Sequence, residues 1–528
     1  MEYYFLNHIE LFAGCGGLSL GLESVGFEFV LGNELSPMAA ETYAFNFFNE
    51  DLDDLAKKKG NSERVMWINS RYENLTDRLR ENPLEYPELG NKGFSDLPEN
   101  LNDYDGKLLV GSIRDLNVVL SNSTELKSAL HESFGKGELT LVSGGPPCQS
   151  FSMAGSRKKD CDKNTLPWEF VSFVNHTKPR FALLENVTGI LRAFQDDDGE
   201  KFHAWYEVAK AFAFIKYVPV CLHINARYAG IAQNRPRFIL LAIREDIYTD
   251  LLKEKSLNSK SHELLESSLP FFNMVKEHGV ELEFGHLQYF DVDKNPEAFK
   301  DSFLSALLED TEVTVRDAID DLRSADVKLS NFALQLNETF SLPKRQTIPN
   351  HELRRNSELV QRRFRIYQIL QQIGCRAVNK EVFLILKGET VTLSMESWNK
   401  LSGYKFLNSN GDLERFANIN QLTEYLKQHP TKKQTQRALS PNSPAPAALS
   451  IPDDACHYHP DEIRTLTVRE MARIQSFPDN FEFRSKITTG GKMRRFEVPQ
   501  YTQVGNAVPP LLGRKLGQIV NYLNSKIQ

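Results

Sequence analysis

The sequence predicts an α/β fold built on a mostly parallel sheet, accompanied by a smaller domain of mixed pattern. Three observations lead there. Over the first 246 residues, short apolar runs alternate with helical stretches, the pattern of strand–helix–strand crossovers. The first run ends in a glycine turn at 14–17 that opens directly into a helix. Several later runs end in a chemically unusual residue. Ligands of open α/β sheets collect beyond the carboxyl ends of the strands, so the glycine turn, Glu34, Ser112, Cys148 and Glu185 are expected at one edge.

In chain order, strands are expected at 8–14, 27–34, 107–113, 139–145, 180–187 and 237–244. The polar stretch 51–104 breaks the rhythm and reads as an insertion within a first domain, 1–246. From 247 to 436 the alternation is lost, which suggests the smaller domain; "EVFLILKGETVTLSM" (381–395) is strand-like within it. A Pro/Ser/Ala-rich linker follows at 440–454. "LTVREMARIQSF" (466–477) has helical apolar spacing behind a Thr467 cap. The last segment, "VGNAVPPLLGRKLGQIVNYLNSKI", gives a Pro-started amphipathic helix. Residues 437–528 thus form a third stretch.

The chain has 528 residues, 41% hydrophobic and 25% charged, and no apolar run near the ~18 residues of a membrane span. Its N-terminus lacks a basic leader, so a cytoplasmic protein is expected. The six cysteines are scattered with no C-x-x-C pair, which suggests reduced thiols rather than disulfides or a zinc site. "CHYH" (456–459) has no second ligand cluster and reads as a loop, so no metal is expected. A net charge of −7 argues against coating nucleic acid by bulk charge. Residues 344–365 nevertheless carry seven Lys/Arg against Glu352 and Glu358. If 352–370 were one helix, Arg355, Arg362 and Arg365 would share a side able to follow phosphates.

Two constellations carry chemistry. Gly14, Gly16 and Gly17 let a ligand approach the backbone, and Glu34 lies about 20 residues beyond the turn, where an acid can accept both ribose hydroxyls. The turn departs from G-x-G-x-x-G, which leaves room for an adenosine-bearing ligand other than a dinucleotide. The second constellation is "GGPPCQSFS" with "LLENV" and "AQNRPRF". Glycines and prolines can aim Cys148 rigidly. Glu185 ends an apolar strand, where a carboxylate is costly unless paired or working. Arg235 and Arg237, two apart in extended chain, share one face. Converging at one sheet edge, these residues would supply a thiol nucleophile, a proton donor and a cation able to hold a carbonyl oxygen.

"LFAGCGGLSLG", "NELSP", "GGPPCQSFS", "ENVTGIL", "QNRPRF", "LTVREMARIQSFPDNF" and "QVGNAVPP" resemble, in order and spacing, the DNA (cytosine-5) methyltransferase family of bacterial type. The resemblance implies a Rossmann-like S-adenosylmethionine-dependent catalytic domain, a smaller, mixed target-recognition domain at 247–436, later motifs at 437–528 whose C-terminal helix returns to the catalytic domain, and double-stranded DNA as partner. It implies that Phe12, Ala13, Gly14, Gly16, Gly17, Leu18, Glu34, Leu35, Ser112, Ile113, Pro146, Asn506 and Val508 line the cofactor. Ser112 departs from the Asp often found there. Cys148 would add to C6 of a flipped-out cytosine, with Glu185 at N3 and Arg235 and Arg237 holding the carbonyl, the carboxylate or a phosphate. Gln149, Ser150, Ser152 and Arg157 would belong to a loop closing over DNA, and Arg355 and Arg362 would track its backbone. A monomer is expected, acting with a cognate restriction or other defence protein. RNA cytosine remains open as the substrate at this stage.

Overall fold

The computed structural model describes residues 5–147, 165–195, 201–309, 311–323, 328–390, 392–431, 436–447, 451–452 and 455–527. A nine-stranded sheet forms its centre. The strands are β1 (Asn7–Leu11), β2 (Glu28–Glu34), β3 (Val65–Trp67), β4 (Lys107–Val110), β5 (Leu141–Gly144), β6 (Phe181–Val187), β7 (Tyr217–Asn225), β8 (Pro236–Arg244) and β9 (Phe290–Asp291), in spatial order β3-β4-β2-β1-β5-β6-β8-β7-β9. Every neighbouring pair is parallel except the two that involve β8, which runs antiparallel to β6 and β7. All six expected strands are present.

The helices that position the site are α1 (Gly17–Glu23), α2 (Pro37–Tyr43), α3 (Ile113–Asn122), α4 (Leu166–Thr177) and α5 (Ala204–Phe214), followed by α6 (Glu358–Ile373), α7 (Arg376–Leu386), α8 (Val468–Ile474), α9 (Gln500–Asn506) and α10 (Pro510–Asn524).

Three expectations are corrected. The stretch 51–104 is not wholly an insertion, because β3 within it extends the sheet beside β4 and buries Trp67; three residues are too short to stand out as a periodic run. The change of core falls later than 247. Ile247, Leu251, Phe271, Val275 and Phe340 join the large core, and a separate small core begins at Phe364, runs to Leu426 and takes in Ala438 and Cys456. Alternation stops at 247 because helices there cover the sheet instead of crossing between strands. Finally, the strand-like run at 381–395 begins inside α7, where Val378, Val382, Ile385 and Leu386 are buried at helical spacing. Its β-branched residues gave the misleading signal, and tertiary packing overrode it.

The chain's two ends meet in one seam, α1 against α10. A Cβ on Gly17 would lie 2.2 Å from the Val508 carbonyl oxygen, and one on Gly21 would lie 2.4 Å from both the Pro510 carbonyl oxygen and the Arg514 nitrogen. The two backbones therefore touch without side chains between them. Arg514 closes the seam by donating to the Ser24 carbonyl at 2.6 Å. The Pro-started helix is as the sequence predicts, with Pro510 at its first position.

Helix α8 locks the segments that join the two cores. Thr467 and Glu470 form a capping box, and Glu470 accepts two 2.8 Å hydrogen bonds from Arg464. Arg473, fully buried, pairs with Asp479 at 2.6 Å and Asp321 at 2.7 Å. Arg469 donates to the carbonyls of Pro349, Pro478 and Phe481. Buried charges with every partner in place fix one arrangement, since removing one partner would strand the other in a dry site.

Gly21→Ala is expected to lower stability by about 1–3 kcal/mol, because the added carbon meets two backbones rather than a movable side chain. Gly403→Ala, with open space around it, serves as the comparison. Thermal unfolding checks this: a clear fall in Tm for the first variant and little change for the second.

Candidate active site

The carboxyl ends of β1, β2, β4, β5 and β6 meet at one edge, and each carries part of the site. Beyond β1 the chain turns through Phe12 and Gly14, both at φ +56°, and Gly16 at φ +90°. The Ala13 nitrogen donates to the Asn33 carbonyl at 3.0 Å, which ties the turn to β2. Glu34 ends β2; its two carboxylate oxygens accept from the Gly14 nitrogen at 2.8 Å and the Ser36 nitrogen at 2.7 Å. Burial raises this carboxyl above its ordinary range, and those N–H donors pull against the rise. Leu35 stays 38% exposed beside it, an apolar surface at the rim. Asn33 spans to β4 by donating to the carbonyls of Leu109 and Gly111 at 3.0 and 3.1 Å.

Other expected cofactor residues fall around this rim in different ways. Ser112 caps α3, its hydroxyl accepting from the Arg114 nitrogen at 3.2 Å. Asn506 is exposed at the end of α9, Val508 is half-buried after it, and Pro146 is buried. The side chains of Leu18 and Ile113 are packed into the core. Gly17 faces Val508 across the seam, so its missing side chain serves packing as well as access.

The second half of the site lies between β5, β6 and β8. Glu185 pairs with Arg237 at 2.5 Å, both nearly buried. Gly145 lets the carboxylate come close: a Cβ there would sit 3.0 Å from the Glu185 Oε2. Asn186 donates to the Pro146 carbonyl at 3.0 Å, so the chain leading into Cys148 is fastened to the strand that carries Glu185. Cys148 itself, with Gln149, Ser150, Ser152 and Arg157, lies outside the described residues. Of the described cysteines, Cys15, Cys221 and Cys456 are buried, and burial pushes each thiol up, the reverse of what a nucleophile needs.

Arg237 and Glu185 lie near enough to act electrostatically on Arg235, which has hydrogen-bond partners of its own. It is buried and donates to the carbonyls of Gly505 and Ala507 at 2.9 and 3.0 Å, so it braces the segment between α9 and α10. The basic run is corrected as well. Helix α6 starts at Glu358, behind the Ser357 cap, so Arg354 and Arg355 precede it in extended chain. Arg362 donates to His429 at 3.1 Å, and the buried Arg365 donates to the Lys405 carbonyl at 2.9 Å. Both arginines secure the small core, whereas Arg355 stays exposed.

Sequence reasoning missed Asn33, Ser36 and Asn186. All three stand inside quoted motifs, yet their work is done through backbone partners that no motif displays. It also missed Glu10 on β1. This carboxyl is buried, accepts from the Ser19 nitrogen at 2.9 Å and from the Ser19 hydroxyl, and burial raises it to about 8. The Ser19 hydroxyl in turn lies 2.9 Å from the Tyr43 hydroxyl on α2.

The family described as C-5 cytosine-specific DNA methylase has a model that matches residues 6–67 and 115–521. The chain belongs to that family. Its enzyme activity is that of a DNA (cytosine-5-)-methyltransferase. The methylase is 23% identical to the Type II methyltransferase M.DdeI of Desulfomicrobium norvegicum, over 98% of this chain and 89% of that one. It is 24% identical to M1.HphI of Haemophilus parahaemolyticus, over 98% and 88% respectively, and 25% identical to M.Bpa9945I of Bacillus paralicheniformis, over 97% and 98%. Ser112 lies in the interval that the family match leaves out. Among the described residues of the methylase, no helix is long and apolar enough to cross a membrane.

Glu10 gives this methylase a pH dependence of stability. Its folded value, about 8, lies above that of an unfolded carboxyl, so its contribution is fully present below about pH 4.3 and is lost as pH rises toward 8. Glu10→Gln should remove that dependence. Denaturant titrations from pH 5 to 8 are expected to show the variant gaining on the wild type as pH rises, by no more than about 1.4 kcal/mol per pH unit.

Proposed function

We propose that the enzyme transfers a methyl group from S-adenosylmethionine to C5 of a flipped-out cytosine in duplex DNA through a covalent bond between Cys148 and C6. The observation that carries this reading is the fastening of β5 to β6. Glu185, paired with Arg237, sits against Gly145, and Asn186 grips Pro146, two residues before Cys148. Cys148 follows Pro146 by two residues in the sequence, and a thiol close to this carboxylate is what the proposed reaction requires.

The residues at the rim fit the cofactor. A raised, N–H-bonded carboxylate at Glu34 and an exposed apolar Leu35 beside it suit ribose hydroxyls and the face of an adenine. The Phe12 to Gly17 turn, Pro146, Asn506 and Val508 complete the surround, with backbone rather than side chain at Leu18 and Ile113. Bound there, S-adenosylmethionine supplies an electrophilic methyl on a sulfonium.

The chain's own residues make C5 able to accept it. Cys148 as thiolate adds to C6 while Glu185 protonates N3, and the ring electrons then rest on C5 as an enamine. Arg237 holds the Glu185 carboxylate in place and keeps a positive charge beside the reacting ring. After C5 has accepted the methyl, loss of its proton to solvent, expulsion of the thiolate from C6 and return of the N3 proton to Glu185 restore the ring. The base must leave the duplex stack, because C6 is reached only from the ring face. The small core, 364–456, is read as the target-recognition domain. Relatives named Type II methyltransferases that span almost the whole chain support a role beside a restriction enzyme or a related defence protein.

Cys148→Ala is expected to form no 5-methylcytosine, below a few per cent of wild type, yet to bind cofactor normally. Glu34→Ala should do the reverse first, weakening cofactor binding by about 1–3 kcal/mol through loss of charge-assisted hydrogen bonds. Transfer of labelled methyl to duplex DNA, with calorimetry of cofactor binding, reads both. A Cys148→Ala variant that turns over would overturn the reaction scheme, and an unchanged Kd for Glu34→Ala would overturn the ribose assignment.

A further inference from the structure

Beyond the end of β6 the chain leaves the sheet, and a hydrogen-bonded line of three side chains takes hold of it there. Thr188, the first residue of the 3-10 turn Thr188–Leu191, has its hydroxyl 3.2 Å from the His223 Nε2 on β7. The other ring nitrogen, Nδ1, lies 3.0 Å from the Asp291 Oδ2 on β9. Strand β8 runs between β6 and β7, so the first of these bonds spans a whole strand. The partners stand 35 and 68 positions apart in the chain, and no single run of sequence displays them.

The chemistry of the partners gives the line a direction. Burial works to raise the Asp291 carboxyl, yet the His223 imidazole beside it holds it below its ordinary range. An ionised carboxylate only accepts, so the His223 Nδ1 carries a hydrogen and donates it to Asp291. In the neutral imidazole the Nε2 is then an acceptor, and the Thr188 hydroxyl donates to it. Asp291 is itself held, because its Oδ1 accepts from the Asp293 nitrogen at 3.0 Å. The Val292 nitrogen donates to the His223 carbonyl at 2.9 Å, which ties β9 to β7 at the same place. The His223 and Asp291 side chains are 17% and 8% exposed, so a broken line would leave polar groups in a mostly dry site.

The line ends where the reacting edge begins. Asn186, Phe238 and His223 are register partners across β6, β8 and β7, so their side chains stand on one face of the sheet. Glu185, one residue before Asn186, stands on the other. Asn186 donates to the Pro146 carbonyl on the β5 side, while Thr188, just past the strand, is held from the β7 side. The segment that carries Glu185 is thus tied toward both flanks. We propose that Thr188, His223 and Asp291 form a positioning relay that holds Glu185 and Asn186 in register with Pro146 for methyl transfer. The relay rests on the reaction proposed above for the part that Glu185 plays.

The test is the rate of labelled-methyl transfer to unmethylated duplex DNA by the full chain, with cofactor Kd from calorimetry. Thr188→Val replaces the hydroxyl by a methyl and leaves the His223 Nε2 without its donor. Its kcat should fall about 10–100-fold, the cost of a small displacement of reacting groups, while cofactor Kd and KM for DNA stay at wild-type values. Thr188→Ser keeps the hydroxyl and should recover most of the rate. His223→Ala should match Thr188→Val, and the double variant should lose no more than either, because both changes break one bond. Thermal unfolding shows which variants fold; if His223→Ala does not, the two Thr188 variants decide. A wild-type kcat in Thr188→Val, equal losses in Thr188→Val and Thr188→Ser, or a loss confined to KM or Kd overturns the proposal. So does a double variant whose loss is the product of the single losses. A wild type that forms no 5-methylcytosine overturns the reaction itself, a result distinct from all of these.

Discussion

Helix α1 can lie against helix α10 only because Gly17 and Gly21 present bare backbone to Val508, Pro510 and Arg514. Everything at the cofactor edge depends on that contact. The glycine turn begins α1, and the Asn506–Val508 segment leads into α10, so the two halves of the rim are placed by one close approach between residues almost 500 positions apart. Arg235 reinforces it from a third direction through the Gly505 and Ala507 carbonyls. A buried guanidinium is costly, and desolvation and the neighbouring Arg237 both push its pKa down. It is tolerated because two carbonyls receive its protons.

A second set of contacts governs the reacting edge. Strands β5 and β6 are neighbours in the sheet, and the Gly145–Glu185 approach and the Asn186–Pro146 hydrogen bond carry that adjacency past the strand ends. The Arg237 guanidinium, on antiparallel β8, completes the group from the other side of β6. The same sheet thus sets both the glycine-turn edge and the Glu185–Arg237 pair, and the seam and α8 hold the C-terminal segments against it.

Much of this was legible in the sequence. Six strands, the Thr467-capped helix and the Pro-started terminal helix follow from apolar spacing and from capping residues, which are local signals. The motifs around Gly14, Glu34 and Glu185 pointed to one sheet edge because strand ends in a parallel sheet converge. What stayed hidden was non-local. β3 is too short to show a period, and α7 was masked by β-branched residues that a helix can bury equally well. Arg235 and Arg237 look equivalent two residues apart, yet one meets carbonyls from the chain's far end and the other a carboxylate on β6.

The central claim, a covalent bond from Cys148 to the base, is tested most directly by mass spectrometry after incubation with cofactor and duplex DNA that carries 5-fluorocytosine at the target. Fluorine at C5 leaves no proton to lose, so the thiolate cannot be expelled once the methyl is in place. The account predicts a stable protein–DNA adduct whose mass maps to the peptide containing Cys148. Methylated DNA released from unmodified cytosine with no trapped adduct on the fluorinated duplex, or an adduct on any of the other five cysteines, Cys15, Cys161, Cys221, Cys375 or Cys456, would contradict it.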